Sequence, residues 1–264
     1  MSHTLYVVDA FTDQPFRGNP AAVCVTEGPR DAAWMQGVAQ ELNLSETAFL
    51  YPLESGGYHL RWFTPGAEVT LCGHATLASA FTLWQIGALP HEAEAHFHTL
   101  SGWLSCTRTG EWIAMDFPTK AITPCSPPDG LAEALGAEPR FVGLNNMDYL
   151  VELEDAATLR GLQPHVTALA SLPVRGVIVT APSDTPEFDF VSRFFAPAVG
   201  VNEDPVTGSA HCALGPYWEA KLGKSELIGY QASARGGVVK LSVRGERILL
   251  CGQAVLVSQV ELFV

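Results

Sequence analysis

The chain repeats itself, and the repeat limits its folds more than any other feature. Arg61-Trp62-Phe63-Thr64-Pro65 returns 132 residues later as Arg193-Phe194-Phe195-Ala196-Pro197, and Gly73-His74-Ala75 returns 135 residues later as Gly208-Ser209-Ala210. In each copy a buried strand leads through a turn into a helix that opens on small residues. The second turn is three residues longer and carries Asn202-Glu203-Asp204-Pro205, the most polar part of the motif. A helix that starts with small residues leaves its first N–H groups open, and these groups with the helix dipole attract anions. Two such copies predict two similar halves whose helix starts face a shared cleft, with a small carboxylate as the expected guest. The plainer alternative is that Gly-x-Ala only lets a helix pack closely on a strand.

A length of 264 residues suits two domains of ordinary size, and 47% hydrophobic with 16% charged residues describes a packed interior. The net charge of -13 excludes nucleic acid and anionic membrane as expected partners, since both require a basic face. No run reaches the roughly 20 apolar residues of a membrane helix. The opening MSHTLYVVDAF does not read as a signal peptide, which leaves the Asn43-Leu44-Ser45 sequon without a role. Cys24, Cys72, Cys106, Cys125, Cys212 and Cys251 lack the spacing of a zinc site or a disulfide framework, so the cytoplasm is the expected compartment.

Alternation and turn residues predict strands over 5–10, 21–25, 46–51, 58–63, 93–98, 103–107 and 112–117 in a first half. Asp31 caps a helix marked by Trp34, Val38 and Leu42, and an almost wholly apolar helix runs from Gly73 to about Ile86. Residues 118–128, with four prolines, read as a linker. The second half repeats the scheme with helices at 131–135 and 208–222 and strands at 149–153, 177–180, 188–195, 227–231, 238–243, 248–251 and 254–263. The expected lobes are residues 1–118 and 119–264, and the last strand, about 254–264, has the option of returning to the first lobe.

Glu46 stands at a strand mouth beside an apolar region, a setting that suits a general acid or base, although the local pattern also suits a capping or solvated glutamate. His74 and Ser209 occupy twin positions, so each copy offers a hydrogen-bonding side chain at its helix start. Asp204 can share a proton with a ligand or cap the second helix, the commoner role of such an aspartate. Cys72 precedes a helix start that would stabilise a thiolate, but its twin is Thr207, so a two-thiol pair is missing. Cys212 and His211 read as buried. Glu94, His96 and His98 share one strand face and read as solvated rather than as a metal site. Nothing suggests a phosphate loop, a dinucleotide fingerprint or a nucleophile elbow, so no organic cofactor is expected.

Val8-Asp9-Ala10-Phe11 with Gly18-Asn19-Pro20, Asn43-Leu44-Ser45-Glu46-Thr47, the stretch from Arg61 to Ala80, and Glu203-Asp204-Pro205-Val206-Thr207-Gly208-Ser209-Ala210 together resemble the PhzF-like isomerase family of phenazine biosynthesis. The resemblance implies a diaminopimelate-epimerase-like α+β fold: two pseudo-symmetric lobes, each a curled, mostly antiparallel sheet around a central helix, often as a homodimer. It also implies a cofactor-free isomerisation of a hydroxylated dihydroanthranilate, in which a glutamate moves a proton between ring carbons, and no metal is expected. By position that glutamate is Glu46, with His74, Asp204 and Ser209 lining the pocket. Gly73 and Gly208 would bind anion through their backbone, and Asn19, Cys72, Ala75, Thr207 and Ala210 complete the expected substrate contacts. The turns depart from the phenazine type, so the chemistry carries over more readily than the substrate. Two other readings stay open: a thiol-based epimerase or dehydratase using Cys72 opposite Thr207, and a non-catalytic binding protein that keeps the pocket.

Overall fold

A computed structural model describes residues 2–264, which divide into two compact units. Unit 1 runs through Asp116 and includes Cys251–Val264; unit 2 is Phe117–Leu250.

Unit 1 begins with β1 (Ser2–Ala10) and β2 (Asn19–Val25), passes through α1 (Ala32–Leu42), β3 (Glu46–Pro52), β4 (Tyr58–Phe63) and the two-residue β5 (Glu68–Val69), and reaches α2 (Gly73–Gln85). It continues as β6 (Ala95–Thr99), β7 (Gly102–Thr109) and β8 (Trp112–Pro118). Unit 2 holds β9 (Thr123–Pro124), α3 (Leu131–Leu135), β10 (Phe141–Leu144), β11 (Asp148–Glu152), α4 (Ala156–Gly161), α5 (Val166–Ala170), β12 (Gly176–Pro182) and β13 (Phe190–Phe195). After α6 (Gly208–Leu222) come β14 (Glu226–Gln231), β15 (Gly237–Arg244) and β16 (Arg247–Gly252), and then β17 (Ala254–Phe263), which pairs antiparallel with β1.

The repeat extends to strand direction. In unit 1, β1–β2 is antiparallel, β2–β3 parallel, β3–β4 antiparallel, β4–β6 parallel and β6–β7 antiparallel. In unit 2, β10–β11, β11–β12, β12–β13, β13–β14 and β14–β15 follow the same order. The parallel steps are bridged by helices, as parallel neighbours require. Register repeats too: Thr47 lies opposite Phe63, and Val177 opposite Phe195. Strands and helices mix in each unit, as expected of an α+β fold.

Local chemistry explains the helices. The Asp31 carboxylate accepts from Trp34 N at 2.8 Å to start α1, and Asn43, left-handed at φ 49°, ends it. α2 is buried along nearly all its length and packs on β1, β2, β3 and β17. Its buried Thr76, Ser79 and Thr82 hydroxyls donate to the carbonyls one turn back at 2.6, 2.6 and 2.8 Å, which satisfies polar groups that would otherwise be costly inside. α6 contains Pro216, which cannot donate to the Cys212 carbonyl; the Lys120 backbone N–H takes that acceptor at 2.9 Å.

Short elements depart from the sequence reading. Within the expected linker, β9 pairs with β10, itself not expected, and α4 and α5 fill the span before β12. Asp155 and His165 cap these two helices by accepting from Thr158 N and Ala168 N. Among the described residues no helix is long and apolar enough to cross a membrane.

Candidate active-site residues

In unit 1, four side chains named from sequence come together. Gly18 adopts φ +62°, and a Cβ there would lie 2.1 Å from the Ala10 carbonyl oxygen, so only glycine lets the chain turn in to place Asn19 at the start of β2. The Asn19 amide then lies 3.2 Å from Nδ1 of His74, the second residue of α2. Cys72 Sγ is 3.6 Å from the same nitrogen. On the other edge of the ring, Nε2 lies 3.1 Å from Oε2 of Glu46, the first residue of β3. This last contact is an ion pair without the alignment of a hydrogen bond. The His74 side chain is 6% exposed and that of Glu46 18%.

Burial alone would lower the His74 imidazole, but the Cys72 sulfur and the Glu46 carboxylate outweigh it and lift it well above its ordinary value. Burial, reinforced by the Glu46 charge, pushes the Cys72 thiol up. The sulfur, a ring nitrogen and a carboxylate oxygen lie within 4.8 Å of one another, a donor set that zinc accepts. Linear spacing hides this cluster, because the fold, not a sequence motif, brings Glu46 to Cys72 and His74. Glu94, His96 and His98 instead lie on an exposed strand face, where His96 and Glu94 approach only to 3.9 Å.

In unit 2 the twin positions carry different chemistry. Asp204 stands just before α6, and its Oδ2 accepts from the Thr207 hydroxyl at 2.5 Å. Gln231, buried at the end of β14, fixes both, donating to the Asp204 carbonyl at 2.7 Å and accepting from Thr207 N at 2.9 Å. Ser209 Oγ accepts from Arg175 Nη2 at 3.0 Å. Arg175 also grips the fully buried Asp148 through Nε–Oδ1 at 2.8 Å and Nη2–Oδ2 at 2.6 Å. Gln231, Arg175 and Asp148 escaped the sequence reading. The only signal in the sequence was Arg175, a lone cation just before the strand equivalent to the one that Glu46 opens. His211 and Cys212 are structural: burial pushes His211 down to about 4 and Cys212 up to about 12, and His211 Nδ1 donates to the Thr207 carbonyl at 2.8 Å.

Both motif helices, α2 and α6, begin without a side-chain cap, unlike α1, α4 and α5. Gly73, Ala75, Gly208 and Ala210 therefore sit at the starts of helices whose cap residues, Cys72 and Thr207, make no side-chain capping hydrogen bond. Uncovered N–H groups and a helix dipole can stabilise negative charge that forms during a reaction.

A profile of the family described as phenazine biosynthesis-like protein matches residues 8–260. An uncharacterized isomerase from Halalkalibacterium halodurans is 53% identical over 263 residues, 99% of each chain. The crystal structure of a PhzF-family phenazine biosynthesis protein from Enterococcus faecalis superposes with TM-score 0.96 at 42% identity, covering 100% of both chains. A hydroxyproline epimerase from Agrobacterium vitis, 10% identical and covering 98% of this chain and 92% of its own, shares the fold at TM-score 0.65. The chain belongs to the phenazine biosynthesis-like, or PhzF, family of isomerases.

Proposed function

We propose that the protein is a cofactor-independent isomerase that moves a proton on a small carboxylic acid, with Glu46 as base and then acid. The observation that carries this reading is the 3.1 Å contact between Glu46 and the buried His74 at the uncapped start of α2. Glu46 takes the proton from a substrate carbon. The His74 ring, held by Asn19 and beside Cys72, supports the carboxylate's charge and can hand a proton to the substrate. Uncovered helix N–H groups stabilise the negative charge that grows on the substrate carboxylate. Positioned acid–base chemistry supplies roughly 10²–10⁴-fold in rate. Relatives named isomerases support the reaction class.

The test is solvent-deuterium incorporation into a panel of small unsaturated, amino and hydroxy carboxylic acids. Wild type should exchange at least one of them, and Glu46→Gln should abolish exchange while leaving binding intact. Exchange that survives the substitution removes Glu46 from this role.

A second reading makes Cys72 the base, favoured by its 3.6 Å approach to His74 Nδ1. Burial holds the sulfur in its thiol form, against that role. Cys72→Ser decides between them: it leaves exchange intact if Glu46 is the base and abolishes it if the thiol is.

A further inference from the structure

Unit 2 holds a cation that its own groups do not satisfy. The half-buried Lys120 ammonium has three protons to give, and among the described residues its one side-chain hydrogen bond is to the Met147 thioether at 3.3 Å, a weak acceptor. No carboxylate among the described residues pairs with Lys120, although acidic residues outnumber basic ones by 13 in this chain. The backbone fixes where this cation sits. Pro216 frees the Cys212 carbonyl, the Lys120 N–H occupies it at 2.9 Å, and Cys212 lies about one turn beyond Ser209 on α6. Met147, which receives the Lys120 ammonium, also accepts the Arg175 N–H on its carbonyl at 2.8 Å.

Arg175 is the second cation. Asp148 occupies its Nε and Nη2, while Nη1 has no partner among the described residues. By the shared register, Gly176 fills the position that Glu46 fills in unit 1, so the second copy has no carboxylate at that strand mouth and an arginine one residue before it. Arg175 donates to Ser209 Oγ, which leaves the Ser209 O–H proton free to donate elsewhere, and Ser209 is partly exposed. The cluster thus has two cations against the one carboxylate of Asp148, with donors left over on all three of Lys120, Arg175 and Ser209. Burial first, and then the neighbouring Arg175 charge, hold the Lys120 ammonium below its ordinary value against the attraction of Asp148.

We infer that Lys120, Arg175 and Ser209 form a receptor for the carboxylate of a small organic acid, with Asp148 as the buried group that holds the Arg175 fork in place. The inference rests on the reading of the substrate as a carboxylic acid. The remaining guanidinium nitrogen Nη1, an ammonium and a hydroxyl offer donors and positive charge that match the oxygens of a carboxylate better than a neutral amide.

The test is calorimetric titration of the protein with benzoate and fumarate, alongside benzamide and fumaramide. Wild type should bind at least one acid and neither amide. Lys120→Met should weaken acid binding by about tenfold or more, and Ser209→Ala by a smaller factor. Arg175→Met strands the buried Asp148 charge, so the Arg175→Met/Asp148→Asn double variant serves in its place and should lose acid binding as Lys120→Met does. Acid binding unchanged in Lys120→Met, equal binding of acids and amides, or no acid binding by wild type would each overturn the inference. Glu46→Gln separates the two readings. If it binds acids normally yet still exchanges deuterium, the proton-transfer assignment fails while the receptor stands.

Discussion

Arg193 clasps Glu203 with two parallel hydrogen bonds, Nε to Oε1 at 2.7 Å and Nη2 to Oε2 at 2.9 Å. Arg61 and Glu68 repeat the clasp at 2.6 and 2.7 Å in the first copy of the motif. Each arginine also lies over the second aromatic ring of its motif, Phe195 at 4.9 Å and Phe63 at 5.1 Å. The motif therefore has a mechanical purpose: a strand arginine ties back the turn that leads to the helix start. In unit 2 the same arginine also donates to the Leu159 and Leu162 carbonyls. We expect Arg193→Met to cost about 2–4 kcal/mol, because it strands two buried acceptors and a mostly buried carboxylate. Arg61→Met should cost less, about 1–2 kcal/mol, since both partners are about a quarter exposed. Urea unfolding of both variants checks the order, and a larger loss for Arg61→Met would contradict it.

Gln231 locks Asp204 to Thr207, and no apolar side chain of its size can replace its three hydrogen bonds. Gln231→Leu takes the acceptor from the buried Thr207 N–H and a donor from the Asp204 carbonyl, at a cost of about 2–4 kcal/mol. Gln231→Glu keeps an acceptor for Thr207 N but loses both donors and buries a carboxylate against the Asp204 carbonyl, so it should cost at least as much as Gln231→Leu. Thermal melts rank the three proteins, and equal melting temperatures would show that the lock is dispensable.

The repeat and the long elements were legible because they rest on local patterns. Arg-aromatic-aromatic-x-Pro and Gly-x-Ala stand in the same order twice, α2 is built mostly of apolar and small residues for three turns, and Asp31 and Asn43 bracket α1 by their own side-chain and backbone preferences. What escaped depended on distant partners. Phe141–Leu144 is four residues long with no alternation, and it becomes a strand because β9 and β11 lie beside it. Arg175 meets Asp148 across 27 residues and Ser209 across 34, so neither spacing nor periodicity announces the cluster. Asp204 was legible as a polar residue just before α6, but its contact with the Thr207 hydroxyl and with Gln231, 27 residues away, depends on how the chain folds.

Glu46 and His74 make a pH-dependent pair. A base whose folded pKa lies above its unfolded value, 6.5 for histidine, binds its proton more tightly when folded. The stability it adds is whole below about pH 6.5 and fades as pH climbs through the raised value. Glu46→Gln removes one cause of the shift. We expect the His74 ring to titrate at lower pH in this variant, read from its imidazole proton resonances. The stability gap to wild type should be widest in mild acid and close toward alkaline pH. An unmoved His74 titration would mean that the 3.1 Å contact does not couple the two groups.

His211 should act in the opposite direction. It is fully buried, packs beside the Phe190 ring and keeps Nδ1 on the Thr207 carbonyl, and burial pushes it down to about 4. A base depressed on folding adds stability that is complete above its unfolded value of 6.5 and is lost as pH falls toward 4, because the unfolded chain takes up the proton first. A depression of this size corresponds to about 3 kcal/mol across that window. His211→Leu cannot take up that proton, so it loses the hydrogen bond to Thr207 at every pH but should show a flatter decline between pH 6.5 and 4. Urea unfolding at half-unit steps, wild type against variant, measures the difference in slope directly. Parallel curves would show that the buried ring is already protonated in the folded protein and that its charge finds a partner inside α6.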